Sequence, residues 1–326
     1  MSPPAWLIAG REFRAYVATA SFWVALLVGP LVTAGGLLLM AHQPTQAPPQ
    51  TLTLSPAQGG AVEARFSAGF PASAPEQARI VRLIAQDSAL QGRLHLVATP
   101  ARPPLDAAAI SRFAVMMMLW MTLAGSLGML LQATVRERAN RALESLLAAA
   151  SPWDIVSGKL IGIGGVSLLV VAAWLGSTAV AALIASRSGG MAGALVRQLA
   201  EPAALLRATG IYVITFAFYG LTTVAIGARA RDSADAQNLA RPMFAVLLAV
   251  FFAALVSAGG GASGLGWLVY APPFTPFLLL LHPQPLLIEI ATLAGLAAAS
   301  LVAGWMAVQA VTLDPSPRRR LWPKPA

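Results

Sequence analysis

Cysteine is absent from all 326 residues, which excludes disulfides and thiolate metal sites and leaves the redox compartment unassigned. Charge is also scarce. Only 11% of residues are Asp, Glu, Lys or Arg, where a soluble globular chain carries about a quarter. The three histidines, His42, His95 and His282, are far apart and no H-E-x-x-H occurs, so no zinc site is expected. No phosphate-binding loop is present either. The one Gly-Lys pair, Gly158-Lys159, is followed by Leu160 and lacks the upstream glycine spacing, so the chain is not expected to be an ATPase or to hold a cofactor of its own. Paired acids inside an apolar run, which an intramembrane protease needs, are missing too.

What the chain has in quantity is apolar sequence. Hydrophobic residues make up 57% and the mean hydropathy is +0.69, which reads as a multi-pass membrane protein with lipid as its surroundings. Basic residues exceed acidic ones by nine. They flank the apolar runs instead of forming a patch with aromatics, so they orient the chain in a membrane and do not suggest nucleic acid. The first run, Phe22 to Met40, has 19 residues, enough to cross about 30 Å of hydrocarbon and too long for a signal-peptide core. Further spans are expected near 113–133, 160–185, 208–228, 242–258 and 286–312. With the N-terminus inside, 13 of the 22 basic residues fall on the cytoplasmic side, and six of the remaining nine lie in the long 41–112 region, where the positive-inside rule weakens. Six transmembrane helices with both termini cytoplasmic are the consistent arrangement.

The division expected is therefore 1–40 as lead-in and first span, 41–112 as an extracytoplasmic subdomain, 113–312 as a five-span domain, and 313–326 as a basic cytoplasmic tail. A Pro- and Gln-rich link, Gln43 to Gln50, opens the second of these. Val62, Ala64 and Phe66 alternate with Glu63 and Arg65, and Leu94 and Leu96 alternate with Arg93 and His95, so both pieces predict strands. Ser73 and Glu76 form a capping-box pattern ahead of a helix carrying Ile80, Val81, Leu83 and Ile84. The fold class is thus an all-α polytopic membrane protein with a small extracytoplasmic α/β subdomain between helices 1 and 2.

Much of the ordered charge gathers in Val135 to Gly165. Leu143, Leu146, Leu147 and Ala150 fall at i, i+3, i+4 and i+7, with Arg136, Glu137, Asn140, Arg141 and Glu144 on the other side, predicting an amphipathic helix. Arg141 can pair with Glu137 or with Glu144. Ser151 is placed to cap a second helix, Pro152 suits its first position, and Asp154 completes a capping box. That helix runs past Gly158 and Lys159 into the third span, with the Lys159 ammonium expected at the water interface. By pattern alone the hairpin at 135–159 is either an interfacial lipid anchor or a coupling element.

A family resemblance favours the second reading. The run E-R-A-N-R-A-L-E-S-L-L (Glu137 to Leu147), then Ser151-Pro152, Gly158-Lys159 and Gly162, resembles the cytoplasmic signature of ATP-binding-cassette exporter permeases of the second type, in the branch named after sodium-efflux permeases. The lead-in GREFRAYVATASFW, the loop ARDSADAQNLARP (Ala230 to Pro242) and the segment APPFTPF (Ala271 to Phe277) resemble their counterparts in that family. The resemblance implies that Glu137, Asn140, Arg141, Glu144, Leu147, Pro152, Gly158 and Lys159 dock on and respond to a cytoplasmic ABC ATPase subunit, which binds the ATP. It also implies pairing with a second permease copy, the same or similar, in a cell (inner) membrane.

A few residues stand apart. Glu289 is the one carboxylate within an expected span, and Arg207 is its possible partner; the pair is a candidate for the pathway or gate, or for a local ion pair. Pro272, Pro273 and Pro276 forbid a continuous helix and predict a re-entrant or surface turn on the outer side, which either packs an outer gate or is simply a tight loop. Met116, Met117, Met118 and Met121 suit packing. Gly158, Gly162 and Gly165 suit close helix contact. A membrane scaffold anchored by the hairpin and an ion-coupled secondary transporter are the competing functions, the latter weakened by the lack of further intramembrane charge and of a detectable repeat.

Overall fold

The computed structural model describes residues 3–42, 52–56, 62–66, 74–86, 94–96, 107–140, 142–185, 198–199, 201–258 and 266–312. The Gln43 to Gln50 link, Ser73, Arg93, Arg141 and the tail at 313–326 lie outside them. The chain divides into two compact units, residues 1–41 with 107–326, and residues 42–106.

The smaller unit holds a three-stranded sheet and a helix. Strand β1 (Leu52–Pro56) runs antiparallel to β2 (Val62–Phe66), and β3 (Leu94–Leu96) lies parallel to β2 on its other side. The parallel pair needs a crossover, and helix α3 (Ala74–Ala85) lies between the two strands in the chain. Ala64, Phe66 and Val81 form its small core, with Ile80 packed against it.

The larger unit is a helix bundle. Helix α1 (Pro3–Val17) meets α2 (Ala20–His42) at a bend of 72°. The elbow is local chemistry: Thr19 Oγ1 donates to the Tyr16 carbonyl at 2.8 Å and Trp23 Nε1 to the Val17 carbonyl at 2.8 Å, which satisfies two of the carbonyls left free where α1 ends. There follow α4 (Ala107–Ala139), α5 (Ala142–Ala149), α6 (Pro152–Ala185), α7 (Pro202–Gly227) and α8 (Ser233–Ala258). A 3-10 turn (Gly266–Tyr270), the short helix α9 (Thr275–Leu281) and α10 (Leu286–Thr312) complete the described part. Among the described residues five helices are long and apolar enough to cross a membrane, and six if the bent α1–α2 pair makes one span.

Helix α7 sits at the centre, with Ala208, Ile211, Phe216, Tyr219 and Val224 all buried, and packs on α4, α6 and α10. Buried hydroxyls cross-tie the bundle where lipid offers no hydrogen bonds: Ser126 Oγ on α4 donates to Ser167 Oγ on α6 at 2.8 Å, and Ser167 in turn bonds Tyr212 on α7. Trp120 Nε1 on α4 donates to the Leu247 carbonyl on α8 at 3.0 Å.

Two elements start or stop elsewhere than the sequence pattern predicts. The amphipathic helix expected across 136–150 is broken at Asn140, a turn residue. Its first part is the last turn of α4, which continues straight out of the second span because no glycine or proline interrupts 129–139. The stretch read as a loop at Ala230 to Pro242 is mostly helix. Asp232 caps α8, accepting from the Asp235 N–H at 2.8 Å, while Asp235 Oδ2 accepts from the Arg231 N–H at 2.9 Å. Pro242 lies inside α8, at the cost of one backbone hydrogen bond.

The helices define two ends. At the hairpin end, α5 links α4 to α6, the 228–232 turn links α7 to α8, and the later part of α10 comes within reach, Gly304 lying beside the Trp153 ring. Gly227 closes this end against Thr134: a Cβ there would lie 3.0 Å from the Thr134 Cβ. At the far end are the starts of α4, α7 and α10 and the short helix α9.

Candidate functional site

The hairpin is built by two local devices. The first is the α4 stop, where the Asn140 N–H still reaches the Arg136 carbonyl at 3.1 Å. The second is the reciprocal capping box at Ser151. The Asp154 N–H donates to Ser151 Oγ at 3.2 Å and the Ser151 N–H to Asp154 Oδ2 at 3.3 Å, with Ser151 Oγ also donating to Asp154 Oδ2 at 2.6 Å. Pro152 opens α6, where its missing N–H is no loss. Between these devices α5 turns Leu143 into the core and leaves Leu146 and Leu147 half-buried against it. Asn140, Glu144, Ser145, Ala148 and Ala149 face outward, and Trp153 is 53% exposed beside them. Among the described residues the outward face of the hairpin thus carries the Glu144 carboxylate and the Trp153 indole.

Glu137 and Lys159 do something different. Lys159 does not reach the water interface: its side chain is 1% exposed, and its ammonium lies 2.5 Å from Glu137 Oε2 and 3.3 Å from Glu12 Oε1. The contact with Glu137 is charge against charge and not an aligned hydrogen bond. Arg11, half in solvent, donates to Glu12 Oε1 at 2.8 Å and also bonds Glu137 Oε1. Two cations and two anions thus close a neutral cluster joining α1, the last turn of α4 and the start of α6. Burying an unpaired ammonium costs several kcal/mol, so Lys159 turns inward because two carboxylates converge on it.

Packing brings α1 to this position. Gly158 and Gly162 face it with no side chain between: a Cβ on Gly158 would lie 2.8 Å from the Ile8 Cβ, and one on Gly162 would lie 2.7 Å from both the Ala9 carbonyl oxygen and the Glu12 Cβ. Gly165 meets the Phe13 ring. The glycine spacing in α6 is a groove that α1 fills with Ala5, Ile8, Ala9, Glu12 and Phe13. Tyr16 OH then ties the end of α1 to the Met129 carbonyl of α4 at 3.1 Å. Arg11, Glu12 and Tyr16 are the site residues that sequence reasoning passed over. The signal for them was the small-residue match between Ala5 and Ala9 on one helix and Gly158 and Gly162 on the other.

At the far end Glu289 and Arg207 pair. Arg207 Nε donates to Glu289 Oε1 at 2.7 Å and Nη2 to Oε2 at 3.1 Å, while Nη2 also reaches the Leu279 carbonyl at 3.0 Å. One guanidinium so joins the starts of α7 and α10 to the last turn of α9, where it meets the negative end of the helix dipole. All seven residues of α9, Pro276 among them, are buried. The turn before it is held by Tyr219 OH, which donates to the Pro273 carbonyl at 2.9 Å, and by Thr275 Oγ1, which donates to the Val269 carbonyl at 2.7 Å. Beside Arg207 lies a cavity of about 350 Å³ lined in part by Ser111, Arg112, Gln198, Glu201 and Leu280. Of the methionines, Met116 is fully buried, while Met118 and Met121 line a groove with Phe22, Leu26 and Trp174.

Apolar helices crossing side by side, with buried hydroxyl ties and charge held to the two ends, define a multi-pass helical membrane protein. Residues 81–309 match the family model described as ABC-2 family transporter protein. That is well over half of the chain, and the chain belongs to this family of membrane transport proteins. No curated protein matches it. Membership implies association with an ATPase subunit. The match begins after α1 and α2, so Arg11 and Glu12 lie outside the matched residues.

Proposed function

We propose that this chain is the membrane permease subunit of an ATP-driven exporter in the sodium-efflux-like branch, coupling hydrolysis by a separate cytoplasmic ABC ATPase to substrate efflux. The observation that carries this reading is the hairpin. It has a stiff base, an outward face of Asn140, Glu144, Ser145, Ala148 and Trp153, and a capped second helix that is continuous from Pro152 to Ala185. A displacement applied at α5 passes along α6 with little room for absorption, since packed helices shift as units. The hairpin end faces the cytoplasm, which puts α1 and the end of α10 on that side in a cell (inner) membrane. The unit at 42–106 lies outside as an extracytoplasmic subdomain.

A second permease copy completes the pathway between the two bundles, and two ATPases drive the pair. Glu144, Asn140, Leu147 and Pro152 form the docking face, to which the family resemblance adds Arg141, while Glu137, Gly158 and Lys159 hold that face to α1. At the outer end, Arg207, Glu289, Pro273 and Pro276 pack the gate, Glu289 acting through its pair with Arg207. The docking face must bind one nucleotide state of the ATPase better than the other, since a ligand without differential affinity shifts nothing.

The test is reconstitution of permease and ATPase in lipid vesicles. Glu144→Lys is expected to leave the permease folded while ATP hydrolysis proceeds without transport. Wild-type coupling in that variant contradicts the reading.

A further inference from the structure

The charge cluster around Lys159 is larger than an anchor for one helix requires. It closes between three elements, on a groove in α6 that leaves no space between Gly162 and the α1 backbone. Helix α1 also carries Trp6 and Leu7 outward, both well exposed, while its other face follows α6 from Gly158 to Gly165. Its other end turns 72° into α2. A body fastened along the start of α6 and continuous with the first span is a lever.

We propose that Arg11, Glu12, Glu137 and Lys159 yoke α1 to the hairpin and the start of α6, so that the three move as one rigid body and the first span becomes a second output of the coupling site. This rests on the exporter reading for the source of the movement. The glycine groove supplies the fit. The four charges supply the register, because sliding α1 by one turn along α6 would part Glu12 from Lys159 and Arg11 from Glu137 together, and breaking up a buried charge cluster is strongly disfavoured. Lys159 is a positioning residue on this account and touches no ligand.

The chain lacks cysteine, so spin labels can be placed by two substitutions, Leu7→Cys on α1 and Ala149→Cys on α5. Both sites are exposed. The separation is expected to be narrow in the permease alone and unchanged in the permease–ATPase complex with and without ATP. A separation that shifts between nucleotide states overturns the yoke. The second arm is Lys159→Met with Glu12→Gln, which keeps the cluster neutral and retains Arg11 with Glu137. It is expected to broaden the separation and to lower transport per ATP hydrolysed by about tenfold, within the usual span of coupling between sites. Wild-type transport per ATP in this variant also overturns the proposal. Failure of the exporter reading looks different: the permease would leave ATPase turnover unaltered, and the label separation in the permease alone would still decide for or against the yoke.

Discussion

Removing the Lys159 ammonium alone should destabilise the larger unit more than any change at the hairpin surface. In Lys159→Met the side-chain volume is nearly kept, so the loss is electrostatic. Glu12 and Glu137, whose side chains are 6% and 12% exposed, are left with Arg11, which is 49% exposed and partly screened by water. Breaking one member of a buried ion pair costs about 3–5 kcal/mol, and the lower end applies here because Arg11 still serves both carboxylates. A loss of about 3 kcal/mol corresponds to a fall in melting temperature of roughly 6 °C or more for a domain of a few hundred residues. Thermal unfolding of the detergent-solubilised protein, followed by tryptophan emission, reads this directly. Adding Glu12→Gln removes the excess negative charge and should return most of the loss. A melting temperature for Lys159→Met within about 1 °C of wild type, a fraction of 1 kcal/mol on the same scale, would refute the claim that the cluster is buried and interdependent.

Other outcomes follow from the same geometry. In Gly162→Leu the new side chain occupies the space of the Ala9 carbonyl and the Glu12 Cβ, so α1 should leave its groove; a thiol at Ile8→Cys, buried in wild type, should become open to labelling, and continued protection would count against the packing. Arg207→Met strands the Glu289 carboxylate and should cost about 2 kcal/mol, reduced from a fully buried pair because Arg207 is partly exposed. The double variant Arg207→Met with Glu289→Leu should recover most of that, and equal stability of the two would show that the pair is not coupled. Ser151→Ala removes a cap worth about 1 kcal/mol, and amide exchange should quicken at Trp153 to Ile155 while Lys159 stays protected.

How far the sequence could be read depended on how local each signal was. The Ser151–Asp154 box is a pattern within four residues, and it forms as written. The alternation at Val62 to Phe66 and at Leu94 to Leu96 coincides with strands for the same reason. The apolar runs located the membrane helices but not their ends, because α4 and α8 carry on beyond the apolar residues into charged sequence. The break at Asn140 was hidden by spacing: leucines at i, i+3 and i+4 keep their phase in α5 whether or not α4 joins it. Asp232 and Asp235 carry a local cap signal, while Pro242, which the helix accommodates, points the other way. The burial of Lys159 had no local signal at all, since Glu12 is 147 residues away and Glu137 belongs to another helix. The prolines after 271 predicted a broken chain there, but burial of all of α9 depends on α4, α7 and α8 closing round it.

The most direct test of the central claim places a photo-crosslinker on Glu144→Cys, the outward carboxylate of the hairpin, in complex with the ATPase subunit. The account predicts a crosslink to the ATPase whose yield changes between the nucleotide-free and ATP-bound states. A crosslinker at Leu286→Cys, exposed at the far end, should give none. Crosslinks from Leu286→Cys and none from Glu144→Cys would place the motor at the wrong end of the bundle and contradict the account.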